Sequence, residues 1–485
     1  MAVAAGEGHT VAVSEEGYIF SFGNNKYGQL GTGYTLNRLT PTRVAGLPGP
    51  VRQIATGRYH TGMVTEDGDL FMCGRGENGL GLGDENDRTT PTLVARALFD
   101  NEAVLMVACG ISHTAVATEI GGVYTFGKGV DGMLGHGDEQ DQLAPRRVPA
   151  AGFRPNGSAE GPDERVVMVA TGCSHTVALS EAGHVFTWGW NSDGQLGHNN
   201  RAKQLAPRQV EAGRFGSEKV VFVAAGGDRT VAVTAGGRLY TWGYSGYGQL
   251  GHGDTDSRLV PTLVGEPTGP AFAGSAVAMA ACAGGHTLVV TQDGALWVCG
   301  FGRDGQLGLN HRNDRYVFER VGQGAFGGAR VVAAAAGRYI SVAVTEDGAL
   351  WTWGASVSGQ LGHGDEERRL VPTRVAAAST HFSRIGRCLP LPTDHALAFT
   401  MCTHGRLGHN SLIRVLEGEP GLLTIIARAA NRFVGGKAGE LEGLIRLLGG
   451  VSADRRRHYA QTIEPGFSRV GCHRERWCRK CQAPH

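Results

Sequence analysis

The chain has 485 residues, of which 77 are glycine and 41% are hydrophobic, and its formal net charge is +1. That apolar fraction is too high for a disordered chain, and no apolar stretch reaches the roughly 18 residues that a membrane-spanning helix needs. Residues 376–485 carry 16 basic and 8 acidic residues, which leaves 30 basic and 37 acidic residues for 1–375. The acidic balance of the larger part argues against nucleic-acid binding, whereas the basic end suits an acidic partner.

A unit with three landmarks repeats seven times along the chain. Its middle landmark is an aromatic residue or a cysteine followed by glycine, and successive copies lie 51 to 62 residues apart. A Leu-Gly pair follows each copy and a His-Thr-type pair precedes it, with Arg229 and Ile340 in place of histidine in two units. In chain order the middle landmarks are Phe22-Gly23, Cys73-Gly74, Phe126-Gly127, Trp188-Gly189, Trp242-Gly243, Cys299-Gly300 and Trp353-Gly354.

Each unit divides into four short segments with the composition of β-strands, which in the fourth unit are 166–172, 175–180, 184–189 and 206–210. The first three are rich in β-branched and aromatic residues, and Asp-Gly-type hairpin loops separate the second from the third in several units. A proline opens the fourth segment of most units, and since proline cannot donate to a ladder, this strand should lie at a sheet edge. Radial repetition of such sheets predicts an all-β fold, a seven-bladed propeller of four-stranded antiparallel blades.

After the seventh unit the pattern changes, so we divide the chain into a propeller over 1–400, a helical hairpin over 401–450 and a basic, poorly ordered tail over 451–485. The short α-helical part is predicted because aliphatic residues recur at helical spacing before a glycine. The cysteines and histidines of the tail are too crowded for a zinc module, and we predict no metal site. The residues with helical spacing are Leu441, Leu444, Ile445 and Leu448.

Together, Gly-x-x-His-Thr, the Trp-Gly step and the Gly-Gln-Leu-Gly-His-Gly run at Gly248–Gly253 resemble the repeat of the regulator of chromosome condensation family over residues 2–375. The resemblance implies a ring closed by pairing of the N- and C-terminal segments. On that basis Phe382–Thr400 is expected to help seal the first blade, whose leading strand, Val3–Ala5, is short. Founding members of the family bind the GTPase Ran as exchange factors and bind chromatin, so the resemblance implies partners of both kinds.

The repeated histidines are expected to have a structural role. A catalytic group is normally unique in a fold, whereas a polar group that recurs in every blade is more often a satisfied hydrogen-bonding group. The three tryptophans of the Trp-Gly steps are expected to fill space between blades. No phosphate-binding loop with its lysine, no Gly-x-Ser-x-Gly elbow and no His-Glu-x-x-His motif occurs in the sequence. We therefore predict no catalytic residue, no cofactor and no enzymatic activity.

The loops between strands one and two of each blade should share a face with the loops between strands three and four, since strand direction alternates. Arginine and aromatic residues occur there at positions that the repeat does not require, and such residues are enriched at interface hot spots. Any one of them is as readily explained as an ordinary loop residue. As a partner-binding face we predict Arg58, Tyr59, Trp190, Tyr244, Tyr247, Phe301, Arg303, Arg338 and Tyr339.

The leading hypothesis is a non-enzymatic protein-interaction scaffold or adaptor that uses this face. The alternative is a guanine-nucleotide exchange factor for a Ran-like small GTPase, with chromatin association. A photoreceptor similar to the plant ultraviolet-B sensor is disfavoured, because no tryptophan follows the glycine of any Gly-x-x-His-type motif. A HECT-type ubiquitin ligase needs a catalytic domain longer than residues 376–485.

We expect protein partners, a small GTPase among them, and neither membrane association nor nucleic-acid binding by the propeller. We also expect a monomer in the cytoplasm or nucleus, since no signal peptide is visible and most cysteines stand singly.

Overall fold

The computed structural model describes residues 2–14, 16–155, 163–265 and 271–376. Their strands form seven antiparallel sheets of four, and in every sheet the four strands are consecutive in the chain and paired in chain order. The first strands of successive sheets contact each other around a circle, and the first strand of the seventh sheet contacts that of the first. The predicted all-β propeller with seven blades is therefore confirmed. The predicted helical hairpin over 401–450, the tail over 451–485 and the sealing segment Phe382–Thr400 lie outside the described residues.

The strands, numbered β1 to β28 in chain order, follow one plan of four per blade. In the first four blades they are Ala2–Ala5, His9–Val13, Ile19–Gly23 and Arg38–Arg43; Val51–Thr56, His60–Thr65, Leu70–Gly74 and Arg88–Val94; Val104–Cys109, His113–Thr118, Val123–Gly127 and Gln142–Arg147; Val166–Thr171, His175–Ser180, Val185–Gly189 and Gln204–Gln209. In the last three they are Val220–Gly226, Arg229–Thr234, Leu239–Gly243 and Arg258–Leu263; Val277–Ala283, His286–Thr291, Leu296–Gly300 and Arg315–Arg320; Val331–Ala336, Ile340–Thr345, Leu350–Gly354 and Arg369–Arg374.

The described helical segments are short 3-10 turns in the connections between strands, and none of them is long and apolar enough to cross a membrane. They are Gly76–Asn78, Arg96–Phe99, Val130–Gly132, Ala150–Phe153, Ala212–Phe215, Ala271–Gly274 and Gln323–Phe326.

The hydrophobic core lies between neighbouring blades. The second strand of each blade is buried along its whole length, because adjacent blades cover both faces of each sheet. Trp188, Trp242 and Trp353 are fully buried, as predicted. The indole Nε1 of Trp188 donates to Met133 O at 3.0 Å, so this side chain docks on the Leu-Gly turn of the preceding blade. Burial of one large aromatic side chain stabilises a fold by about 1.5–3 kcal/mol, so these contacts hold blade to blade.

The fourth strands begin before the proline rather than at it, which corrects the sequence-based boundary. Pro41 is the fourth residue of β4, Arg38–Arg43. The pairing partners step from Thr42, opposite Ser21, to Arg38, opposite Gly23, so the register shifts around the proline. A bulge of this kind accommodates a residue that cannot donate to the ladder. The predicted edge position is confirmed, because β4 pairs with β3 alone.

The ring closes where the seventh blade meets the first. β1 pairs with β2 from Ala2 to Ala5, so the N-terminal segment itself supplies the leading strand of the first blade. Several hydrogen bonds cross the seam. Among them, Arg338 N–H donates to Gly6 O at 3.3 Å, Thr10 Oγ1 donates to Gln360 O at 2.8 Å and Gly364 N–H donates to Leu39 O at 2.9 Å.

Candidate interaction surface at the channel mouth

A belt of hydrogen bonds joins each blade to the next, and the repeated histidines form it. His9 Nε2 lies 3.0 Å from Thr61 Oγ1 in the next blade. The Thr61 hydroxyl donates its hydrogen to Gln29 O at 2.7 Å, so it accepts from the histidine, which must carry its hydrogen on Nε2. Burial lowers the pKa of His9 to about 3, which agrees with a neutral ring. The equivalent pairs are His60–Thr114, His113–Thr176, His175–Thr230 and His286–Ser341.

Two blades depart from the histidine pattern in different ways. The buried Arg229 guanidinium replaces the imidazole, with Nε donating to Thr287 Oγ1 at 3.1 Å and Nη1 donating to Gly284 O at 2.7 Å. Ile340 has no polar group to offer, so the Thr10 hydroxyl at the seam has a carbonyl partner but no histidine partner. The predicted structural role of the histidines is confirmed by these contacts.

A second set of histidines, in the His-Gly-Asp triplets, forms hydrogen bonds within single blades. His136 Nε2 lies 3.0 Å from Thr125 Oγ1, and His252 and His363 make the same contact with Thr241 and Thr352. Burial lowers the pKa of each of these histidines. Repetition of one contact in several blades indicates that these residues, too, hold the repeat together.

One further repeated hydrogen bond fixes the two loop sets against each other. The residue after each aromatic-Gly or Cys-Gly step donates its N–H to the carbonyl of the residue before the histidine position, as Arg75 does to Tyr59 at 2.9 Å and Phe301 to Gly285 at 2.9 Å. Gly74 has a φ of 111°, and a Cβ there would overlap Tyr59 O, so only glycine allows this approach. The loops between strands one and two therefore share a face with those between strands three and four, as predicted.

On this face the loops surround a cavity of about 580 Å³ at the end of the central channel, here called the channel mouth. Its wall includes the residue two positions before the histidine position of every blade: Glu7, Arg58, Ile111, Cys173, Gly227, Gly284 and Arg338. None of the seven is tryptophan. Side chains from the longer loops, Tyr244, Tyr247 and Phe301, complete the wall together with Tyr339.

One side of the channel mouth carries two arginines on a single carboxylate, a group here called the Glu7 clamp. Arg58 Nε lies 2.6 Å from Glu7 Oε2, and Arg338 Nη1 forms an ion pair with Glu7 Oε1. Each guanidinium also lies over the ring of the tyrosine that follows it, 4.9 Å from the Tyr59 centroid and 5.0 Å from that of Tyr339. The clamp therefore combines a net positive charge with two aromatic faces.

The Glu7 clamp continues outward into a second cationic and aromatic pair. The rings of Tyr27 and Tyr59 lie 5.0 Å apart, and the Arg75 guanidinium lies 5.0 Å from the Tyr27 ring. Arg75 is not among the face residues predicted from the sequence, although its place directly after the Cys73-Gly74 step is the signal that could have identified it.

Across the channel mouth, the fifth and sixth blades contribute an aromatic corner formed by Tyr244, Tyr247 and Phe301. The Tyr244 and Tyr247 rings are 6.3 Å apart at 81°, and the Tyr247 and Phe301 rings are 5.0 Å apart at 64°. Arg303 lies on the Phe301 ring at 5.7 Å. Edge-to-face pairs of this kind hold the rings in defined orientations.

The structure brings most of the predicted face residues together. Six of the nine line the channel mouth: Arg58, Tyr244, Tyr247, Phe301, Arg338 and Tyr339. Tyr59 and Arg303 are stacked beside them, whereas Trp190 projects from the fourth blade, does not line the cavity and is 37% exposed.

Cysteines line the channel mouth. Burial raises the pKa of the Cys109 and Cys173 thiols, which line it, to about 12, so neither is an activated nucleophile. Among the described residues no three His, Cys, Asp or Glu side chains are grouped so as to hold a metal ion.

Comparison with known proteins agrees with this geometry. Residues 151–389 match the RCC1-like domain profile, and residues 16–64, 67–117 and 121–179 match the profile of the regulator of chromosome condensation (RCC1) repeat. The ultraviolet-B receptor UVR8 of Arabidopsis thaliana is 34% identical over 381 residues, which are 78% of this chain and 82% of that receptor.

Two solved structures have the same fold. Human WBSCR16 superposes with a TM-score of 0.64 at 26% identity, covering 74% of this chain and 94% of that one. Prp20p of Saccharomyces cerevisiae, described together with its binding to Gsp1p and histones, superposes with a TM-score of 0.64 at 23% identity, covering 76% of this chain and 88% of that one.

Proposed function

This chain belongs to the regulator of chromosome condensation (RCC1) repeat family, and we propose that it acts as a non-enzymatic protein-interaction platform whose binding surface is the channel mouth. The side chains shared by all blades are occupied in the hydrogen-bond belt and in the core. Several of those that differ between blades line the channel mouth, among them Arg58, Arg338 and Tyr247. Function in a repeat fold resides in such variable positions.

The observation that carries the proposal is the Glu7 clamp. Two guanidinium groups share one carboxylate, and the Arg58 and Arg338 side chains remain 38% and 46% exposed. A partner carboxylate can therefore pair with the side of either guanidinium that Glu7 leaves open. Arginine and tyrosine are the residue types that most often carry binding energy at protein interfaces, and here they stand in adjacent pairs.

Guanine-nucleotide exchange on a Ran-like small GTPase, with chromatin association, stays a prediction from the sequence. Prp20p is described as binding Gsp1p and histones, so a GTPase is one form of partner that the proposed platform would take. Release of labelled GDP from a panel of Ran-like GTPases, measured with and without this protein, tests directly whether it promotes exchange on such a partner.

The experiment for the platform itself is a quantitative affinity capture with a variant carrying Arg58→Ala, Tyr59→Ala, Arg338→Ala and Tyr339→Ala. The matched control carries Tyr18→Ala and Arg43→Ala, which removes a cation–π pair of 3.9 Å from the opposite face. Tyr18 lies between strands two and three, hence at the other end of the blade.

We expect partners captured by the wild type and by the control to be lost from the clamp variant. Melting temperatures of the three proteins show whether the substitutions left the fold intact. If the clamp variant, still folded, retains every partner, the channel mouth is not the binding surface and the proposal fails.

A further inference from the structure

The aromatic corner of the channel mouth stands beside a carboxylate. Asp228 lines the same cavity as Tyr244, Tyr247 and Phe301. Burial, with a smaller contribution from Asp193, raises the pKa of the Asp228 carboxyl. Burial also raises the pKa of the Tyr244 hydroxyl, with smaller contributions from Tyr247, Asp193 and Asp228. The Asp228 carboxyl and the rings therefore share one partly desolvated site.

Asp228 has no ion-pair partner in the described part of the chain. The neighbouring Arg229 directs its guanidinium away, to the carbonyls of Ala283 and Gly284 in the sixth blade and to Thr287. The charge of Arg229 lowers the pKa of the Asp228 carboxyl, but by less than burial raises it. A desolvated carboxylate that forms no direct ion pair favours binding of a cation, since opposite charge offsets the cost of removing it from water.

The three rings are arranged to receive a cation rather than an anion. The face of an aromatic ring is negative, so ring faces that line a cavity attract an ammonium group. Tyr244 and Tyr247 are set at 81°, and the Arg303 guanidinium already lies on the outer side of the corner, over Phe301. The corner thus holds one cation in the structure itself.

Two glycines allow the side chains of this corner to pack against the backbone. A Cβ on Gly285 would come within 2.8 Å of the Phe301 side chain and 3.5 Å of the Tyr247 ring, and one on Gly246 would overlap the Tyr244 hydroxyl. Larger residues at these positions would displace the rings.

Building on the function proposed above, we propose that the corner formed by Asp228, Tyr244, Tyr247 and Phe301 binds the alkylammonium group of a partner lysine, either unmodified or methylated. The Glu7 clamp across the channel mouth takes the acidic residues of the same partner. The channel mouth therefore selects partners in which a lysine-type side chain and carboxylates lie on one surface.

The test uses small probes on the full chain. Choline chloride represents a methylated lysine, n-butylammonium chloride an unmodified one, and 3,3-dimethylbutan-1-ol is the neutral analogue of choline with the same shape. Saturation-transfer NMR titration gives the affinity of each probe for the wild type, Tyr247→Leu, Asp228→Asn and the control Tyr339→Leu, which removes an aromatic ring of the Glu7 clamp instead.

We expect at least one ammonium probe to bind, and to lose about tenfold in affinity, or about 1.4 kcal/mol, in Tyr247→Leu and in Asp228→Asn while Tyr339→Leu is unaffected. The stronger of the two ammonium probes identifies the methylation state. Equal binding of the neutral alcohol, or equal losses in all three variants, would overturn the inference.

This outcome is independent of the capture experiment. Loss of partners from the clamp variant without ammonium binding would leave the interaction platform standing and remove the lysine site. Ammonium binding with unchanged partner capture would support the ammonium site and contradict the interaction platform.

Discussion

The carboxylate of Glu7 in the first blade pairs with the guanidinium of Arg338 in the seventh, 331 positions later in the chain. The pair lies at the seam of the ring, where Ile340 replaces the histidine that would otherwise bond to Thr10. Glu7 thus contributes both to closing the propeller and to the surface proposed for binding.

The seam should be less sensitive than the other blade junctions to loss of its threonine. Thr114→Val removes the described partner of both His60 Nε2–H and Gly79 O, and is expected to lower the free energy of unfolding by about 1–3 kcal/mol. Thr10→Val leaves only Gln360 O unpaired and should cost about half as much. Urea unfolding of the two variants measures the difference, and equal losses would contradict the role assigned to the belt.

Acid should destabilise the protein through the belt histidines. Burial lowers the pKa of His9, His113 and His175 to about 3 in the folded state, whereas an unfolded histidine titrates near 6.5. The unfolded chain therefore binds more protons between these values, so stability is complete above about pH 6.5 and falls below it by roughly 1.4 kcal/mol per pH unit for each histidine.

Urea unfolding at several pH values between 5 and 7.5 checks this dependence. His113→Gln removes one of the titrating groups, so it should reduce the slope by the contribution of one histidine. A slope that does not change would show that this ring does not control the acid response.

The glycine of the Cys73-Gly74 step is expected to be irreplaceable. Gly74→Ala combines a φ of 111° with an overlap between the new Cβ and Tyr59 O, so we expect a loss of about 1–3 kcal/mol in the free energy of unfolding. Gly322→Ala is the control, because its Cβ meets nothing within 4 Å and its φ is not positive. It should be neutral or slightly stabilising. Thermal melts measure both variants, and equal melting temperatures for the two would contradict the prediction.

Removal of the shared carboxylate should strengthen binding of acidic partners. Glu7→Gln leaves the charges of Arg58 and Arg338 free for a partner, at a folding cost below about 1 kcal/mol because both side chains are partly exposed. Affinity for a captured acidic partner should rise several-fold, and the gain should shrink as salt is added. Glu181→Gln, which breaks the Arg165 pair of 3.4 Å on the opposite face, should have no such effect.

Much of the fold was predictable from the sequence because the repeat records local requirements. Each blade needs a glycine at positive φ, as after Trp188 or Cys73, and a hairpin loop before its third strand. These requirements arise within a single blade, so seven copies of the repeat specify seven blades. The shared face of the two loop sets followed from the alternation of strand direction. The predicted start of the fourth strand at its proline was wrong. The bulge that places Pro41 inside β4 depends on the pairing of β4 with β3, and the residues of β4 alone do not indicate how that pairing runs.

The sequence by itself thus determined the blades, their number and the face on which the variable residues lie, since each of these depends on residues close together in the chain. Only the tertiary structure decided which of those residues meet. Ring closure brings Glu7 to Arg338, and the packing of two blades sets Tyr247 against Phe301 at 5.0 Å. Such contacts depend on the geometry of the ring and on side-chain packing between blades, neither of which leaves a periodic trace in the sequence.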